Sequence, residues 1–188
     1  MKKYISTDDL IYVAGHKGMA GSSIIRSFKA KGYNNIIYAD REELDLRDSE
    51  KVKSWFLFNN PKVVIIAAAK VGGIMANQNM PSQFIFDNLK IQINLIENAW
   101  KSGVKRLVFL GSSCIYPKLS KQPIKEEYLL SGKLEETNES YAIAKIAGIK
   151  MCQALKTQYG FDAISIMPTN LYGPGDNYQK ENSHVIPS

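Results

Sequence analysis

Leu10-Ile11-Tyr12-Val13-Ala14-Gly15-His16-Lys17-Gly18-Met19-Ala20-Gly21 decides the fold: an apolar run breaks into glycines at intervals of three and leads into a segment with helical spacing over 18–31. That order is a strand, a turn and a helix. A turn without side chains lets backbone N–H groups approach a pyrophosphate, whose charge then lies at the positive end of the helix macrodipole. Alone such a pattern is weak. Between a strand and a helix it predicts a dinucleotide site, with Gly15, Gly18 and Gly21 carrying the turn and His16, Lys17, Met19 and Ala20 lying in the same loop, His16 through its backbone rather than its ring.

Outward from this stretch, further apolar runs recur at 36–39, 63–69, 107–110 and 163–167. They are continuous rather than alternating, which predicts strands covered on both faces. Helical spacing returns at 48–59, 82–101 and 140–159. The alternation predicts an α/β fold, a doubly wound parallel sheet of Rossmann type with ligands beyond the carboxyl ends of its strands. Residues 114–139, with Pro117, Pro123 and Gly132, break the rhythm and read as a long excursion over the sheet edge. After Met167 come Pro168, Gly173, Pro174 and Gly175, which read as a Rossmann domain over 1–170 and the start of a substrate-binding region over 171–188 whose remainder is missing.

At 188 residues the chain has the length of one domain, or one and a fragment of a second. Its 45% hydrophobic and 22% charged residues argue against disorder. No apolar run reaches the ~18 residues of a membrane span, and the start turns acidic at Asp8 and Asp9, so neither membrane insertion nor secretion is expected. The two cysteines, Cys114 and Cys152, are too few for a disulfide framework and lack metal-ligand spacing, which fits a reducing cytoplasm. The 24 basic and 18 acidic residues give +6, but the lysines are scattered and there is no arginine-rich helix. This charge suits an anionic small ligand rather than nucleic acid.

The second apolar run ends in Asp40-Arg41, where such folds read the adenosine ribose. Asp40 as an acceptor for a free 2′-hydroxyl favours NAD, whereas Arg41 and Lys17 as partners of a 2′-phosphate favour NADP. Two cations at one site make NADP the expectation. Further on, Tyr141 and Lys145 lie one helical turn apart and share a face. A phenol at its ordinary pKa of ~10 is a poor base, and an adjacent ammonium is expected to lower that value. Gly111-Ser112-Ser113-Cys114 follows the fourth run, where a hydroxyl could bond the same substrate oxygen. Tyr-x-x-x-Lys also arises by chance, and strand-end serines commonly cap the next turn. In order behind the glycine loop, the set predicts hydride transfer to a carbonyl.

Gly15-x-x-Gly18-x-x-Gly21, Ser112, Tyr141 and Lys145 resemble the extended short-chain dehydrogenase/reductase family. Within it, Ala14-Gly15-His16-Lys17-Gly18-Met19, Ala67-Ala68-Ala69-Lys70-Val71-Gly72-Gly73-Ile74, Gly111-Ser112-Ser113-Cys114-Ile115-Tyr116-Pro117-Lys118, Tyr141-Ala142-Ile143-Ala144-Lys145, Met167-Pro168-Thr169-Asn170-Leu171-Tyr172-Gly173-Pro174 and Asn182-Ser183-His184-Val185-Ile186-Pro187 resemble the branch that converts GDP-4-keto-6-deoxy-D-mannose to GDP-L-fucose. The resemblance covers essentially the whole chain. It implies an NADPH-dependent enzyme that epimerises C3 and C5 and reduces C4, with Ser112, Tyr141 and Lys145 as the reductase set and Cys114 and His184 serving the epimerisations. It also implies NADP contacts from Arg41, Leu46, Leu110, Gly111, Ser112, Ser113, Lys145, Pro168, Thr169, Asn170, Leu171 and His184, a GDP-sugar substrate, and a homodimer built on the helices at 82–101 and 140–159. Apart from the resemblance, Cys114 reads as a packing residue and His184 as a surface one.

The stripe Ile85, Leu89, Ile93, Ile96 and Trp100, with Phe84, Ile91 and Leu95 off it, fits either a dimer face or burial under 114–139. Competing functions are an NAD-dependent nucleotide-sugar epimerase or dehydratase that keeps its cofactor and returns the hydride, a non-catalytic NADP-binding module, and an assembly fragment completed by a partner.

Overall fold

The computed structural model describes residues 5–176. Five parallel strands, β1 (Ile11–Ala14), β2 (Ile36–Ile37), β3 (Val63–Ile66), β4 (Arg106–Leu110) and β5 (Ala163–Ile166), form one sheet in the order β2-β1-β3-β4-β5. Between them run α1 (Met19–Ala30), α2 (Ser49–Asn59), α3 (Ile74–Asn79), α4 (Pro81–Lys101) and α5 (Glu139–Tyr159). The sheet is the doubly wound α/β sheet that the alternation predicts. The strand order reverses between β1 and β3, which is where ligands bind in such sheets.

The continuous apolar runs divide between two cores because successive side chains in a strand point to opposite faces. Ile11, Val13, Val63, Ile65 and Leu110 form one core, covered by Ile24, Ile25 and Phe28 of α1. Tyr12, Ala14, Val64, Ile66, Leu107 and Phe109 form the other, with Val52 and Phe56 of α2, Leu95, Ile96 and Ala99 of α4, and Ile146, Ile149 and Cys152 of α5. Register is carried across the sheet: Val108 lies beside Ile164 and Leu110 beside Ile166. Ile164 and Ile166 therefore fall on the α1 face, where they are 36% and 45% exposed.

Several expected boundaries move. The run 36–39 yields a two-residue strand, because Tyr38 and Asp40 leave the ladder for contacts with the glycine loop. The run 63–69 stops pairing at Ile66, where the backbone passes over Gly15. The excursion at 114–139 folds back on itself through three short 3-10 turns: Lys118 N–H donates to the Lys133 carbonyl, and Lys118 Nζ lies 2.8 Å from a Glu135 carboxylate oxygen.

The expected stripe on α4 is corrected. Its core face is Phe84, Asn88, Gln92, Leu95, Ile96 and Ala99, so Phe84 and Leu95 are inside rather than off the stripe. Three amides on that helix are buried, each with its NH2 group donating to a backbone carbonyl, while Gln92 Oε1 has no hydrogen-bond partner among the described residues. Asn88 bonds the backbone of Lys70, Gln92 donates to the Ala144 carbonyl, and Asn94 donates to the Leu46 carbonyl. Phe86, Ile93 and, on α5, Ile143 remain exposed, so the excursion does not bury them. Among the described residues no helix is long and apolar enough to cross a membrane.

Candidate active site

The glycine turn is fixed by close backbone approach. Gly15 adopts φ +86°, and a Cβ there would lie 2.6 Å from the Ala68 backbone nitrogen. At Gly21 a Cβ would drive into the Gly15 carbonyl oxygen. The strand end, the turn and the first turn of α1 are thus pressed against the segment following β3, at the reversal of strand order. Gly18 is the N-cap of α1, no side chain caps it, and its first turn holds no acidic residue. The positive end of the helix dipole is therefore left to an anion, and this backbone cradle fits a dinucleotide pyrophosphate.

Beside the cradle a cavity of about 510 Å³ is lined by His16, Lys17, Arg26, Lys29, Tyr38 and Asp40, among others. Lys17 Nζ lies 2.7 Å from Asp40 Oδ2 and His16 Nε2 lies 3.0 Å from Asp40 Oδ1. The His16 ring stacks on Tyr38 with centroids 4.4 Å apart. His16, expected to take part through its backbone, thus also meets Asp40 and Tyr38 with its ring. Lys17, expected to await a phosphate with Arg41, is paired with Asp40, and Arg41 is exposed.

The second cluster gathers where β4 ends. Ser112 is the N-cap of a 3-10 turn, Ser113–Ile115, and its Oγ accepts from the Cys114 thiol at 3.1 Å and from the Cys114 N–H at 3.4 Å. Both acceptances leave the Ser112 hydroxyl proton available to another acceptor. Ser113 N–H donates to the Pro168 carbonyl and Gly111 N–H to Ile166, which ties the segment after β5 to the site; Thr169, Asn170 and Leu171 follow there, exposed.

Tyr141 and Lys145 face this cluster from the first turns of α5. Lys145 is 3% exposed, and its Nζ donates to the Leu110 carbonyl at 2.7 Å while lying 5.7 Å from the Tyr141 ring centroid. Burial pushes its pKa down from 10.5 to about 8. The Tyr141 phenol is not lowered, contrary to the expectation. Burial raises it, and the neighbouring Cys114 raises it further. Burial is the physical reason, and Lys145, bonded to the Leu110 carbonyl, does not offset it. Cys114 is also pushed up by burial, against the lowering effects of the Ser112 hydrogen bond and the Lys145 charge.

Two contributions were not legible in the sequence. Asn88 holds the loop after β3 by accepting from Lys70 N–H at 2.9 Å and donating to the Lys70 carbonyl at 3.0 Å. Phe84 meets the Tyr141 ring edge-on at 6.4 Å between centroids. Both residues sit on the core face of α4, where a search for apolar stripes passes over an amide. Leu46 packs against the larger core, with its carbonyl held by Asn94. His184 lies outside the described residues.

A GDP-L-fucose synthase from Sinorhizobium fredii is 56% identical to the chain over 188 residues, all of this chain and 60% of that protein. A GDP-D-glycero-L-gluco-heptose synthase from Campylobacter jejuni, solved in the presence of NADPH, superposes with a TM-score of 0.93 at 40% identity, covering 97% of this chain and 54% of that one. A GDP-L-fucose synthetase from Naegleria fowleri bound to NADP gives 0.87 at 31% identity, over 97% and 60%. The chain thus spans between 54% and 60% of the length of these relatives. Residues 11–188 match a family model, and with the glycine cradle and the strand-end cluster in place the chain belongs to the NAD dependent epimerase/dehydratase family.

Proposed function

We propose that the protein converts GDP-4-keto-6-deoxy-D-mannose to GDP-L-fucose by epimerising C3 and C5 and reducing C4 with NADPH. On this reading 1–170 form the nucleotide-binding unit and 171–188 open the substrate-binding region. The curated relative and the two solved neighbours carry names of GDP-sugar enzymes, two with fucose as product, and support this substrate class. The observation that carries the reading is the contact between Cys114 and Ser112 beside Tyr141 and Lys145. Reduction alone needs the hydroxyl, phenol and ammonium; the thiol is the added group that proton exchange at carbon requires.

Gly15, Gly18, Gly21 and the N–H groups opening α1 would hold the pyrophosphate, with Lys17 and Arg41 near the adenosine ribose and Lys145, Ser113 and the segment from Pro168 to Leu171 near the other end. When bound, NADPH supplies the hydride that turns the C4 ketone into an alcohol. Tyr141 keeps its proton at neutral pH because burial disfavours the phenolate, so it is already the acid that the C4 oxygen needs. Ser112 donates its free hydroxyl proton to the same oxygen and stabilises the enolate formed during epimerisation. Cys114, as thiolate, removes the proton from carbon, and His184 returns one to the opposite face. Burial disfavours that thiolate at rest, and the Ser112 hydrogen bond and the Lys145 charge offset the penalty in part, which couples the two halves of the reaction.

The test is incubation of the full-length protein with this sugar nucleotide and NADPH, following absorbance loss together with deuterium entry from solvent. Both signals are expected, with label at C3 and C5. Oxidation without label indicates a plain reductase, and label without oxidation indicates an epimerase that returns its hydride.

On the same reading the protein is a homodimer, with exposed Phe86, Ile93 and Ile143 on α4 and α5 at the contact. Sedimentation is expected to give twice the chain mass at micromolar concentration, and Ile93→Glu to give the single mass.

A further inference from the structure

We propose that Gln92 is a positioning residue: its buried amide holds the turn of α5 between Tyr141 and Lys145, and so sets how the phenol and the ammonium are aimed, rather than adding stability. This rests on the reading that Tyr141 and Lys145 serve the reduction at C4. Gln92 is 2% exposed on the core face of α4, and its Nε2 donates to the Ala144 carbonyl at 2.9 Å. Ala144 lies three residues after Tyr141 and one before Lys145. The bond therefore grips the stretch of backbone from which both side chains leave. Among the described residues it is the one hydrogen bond between α4 and α5.

Stability does not call for an amide at this place. The Ala144 carbonyl already accepts the Gly148 N–H within the helix, so it would not be left bare without Gln92. Gln92 Oε1 has no hydrogen-bond partner among the described residues, a cost that a methionine of similar shape would not carry. The amide is also boxed in. A Cβ at Gly148 would lie 2.9 Å from Gln92 Oε1 and 2.5 Å from Phe109 Cζ, so α5 comes down on α4 and β4 with no side chain between them. Lys145 Nζ lies over the same Phe109 ring, 4.9 Å from its centroid, where it meets the Leu110 carbonyl. Gln92, Gly148 and Phe109 thus form the seat of the turn that carries Lys145. An apolar side chain in place of Gln92 would keep that seat filled, but apolar contact has no direction, whereas a hydrogen bond fixes where the helix lies along and around its axis. Misplacement by about an ångström is enough to cost a reaction about a hundredfold in rate.

The test compares the full-length protein with Gln92→Met and Gln92→Leu, two differently shaped side chains that fill the space without a donor. Thermal midpoints are expected to stay level or rise in both. With GDP-4-keto-6-deoxy-D-mannose and NADPH, kcat for C4 reduction is expected to fall by about thirtyfold in both, while KM for the sugar nucleotide and the affinity for NADPH stay within about twofold. A fall in kcat of less than about threefold overturns the proposal, as does a loss confined to one variant, which reports shape rather than the donor. A lowered thermal midpoint or weakened NADPH binding in both variants also overturns it, because the amide would then be holding the fold and not the aim of two side chains. If the unaltered protein does not oxidise NADPH with this substrate, the reading of Tyr141 and Lys145 falls and the proposal with it; normal turnover that ignores both substitutions removes the proposal alone.

Discussion

Lys17, in the loop after β1, and Lys145, at the end of β4, stand in opposite surroundings. Lys17 is out in solvent, and its pKa is raised by its hydrogen bond to Asp40. Lys145 is sealed between α5 and the end of β4, and burial pushes its pKa down to about 8. The contrast extends to their neighbourhoods. The glycine-loop side works with backbone groups and exposed charges, whose energies water screens. The β4–α5 side works with buried side chains, whose protonation the protein interior decides.

The largest expected effect lies on the buried side. Tyr141→Phe in the full-length protein is expected to lower C4 reduction by about a thousandfold while dinucleotide affinity, read by titration, stays within about twofold. An equal fall in affinity would place the phenol in cofactor binding instead and blur the division between the two sides.

Next is the pH dependence of stability. Because the folded-state pKa of Lys145 lies below its ordinary value, the unfolded chain binds more protons between about pH 8 and 10.5, and stability must rise with pH in that window. Relative to Lys145→Met, the unaltered protein is expected to gain up to about 3 kcal/mol from pH 8 to pH 10.5 in denaturant titrations. Parallel curves for the two proteins would contradict the burial assigned to this ammonium.

On the other side, Gly21→Ala is expected to cost about 2 kcal/mol of stability and at least tenfold in dinucleotide affinity, since the added methyl collides with the Gly15 carbonyl. The smallest effect closes the comparison. Lys17→Ala, which breaks an ion pair on the exposed side, is expected to leave the thermal midpoint unmoved within measurement error. A clear drop there would mean that the two lysines differ less than their surroundings imply.

Periodicity located all five strands and four of the five helices, because continuous apolar runs and long helical segments are tertiary demands written locally. It did not find α3, six residues without a full apolar period, nor the core face of α4. That face failed for a physical reason: Asn88, Gln92 and Asn94 are polar, yet buried by bonds to segments far away in sequence. The site divides in the same way. Glycine spacing and the Tyr141–Lys145 interval identified which residues meet. The direction of the Tyr141 shift was not legible, since it depends on how deeply the folded chain buries the phenol, which residue spacing does not give, and Lys145 is bonded to the Leu110 carbonyl of a distant strand.

The uneven cover of the sheet bears on how the chain behaves in a tube. Among the described residues α1 covers the face that carries Val108, Leu110, Ile164 and Ile166, and it lies over β1 and β3 rather than β5. β5 is the outer strand on that side, with Ile164 and Ile166 partly bare. A strand flank with bare isoleucines is a nucleus for clumping when protein is concentrated. A lysine in place of Ile166 is therefore the change to make when yield and storage fall short.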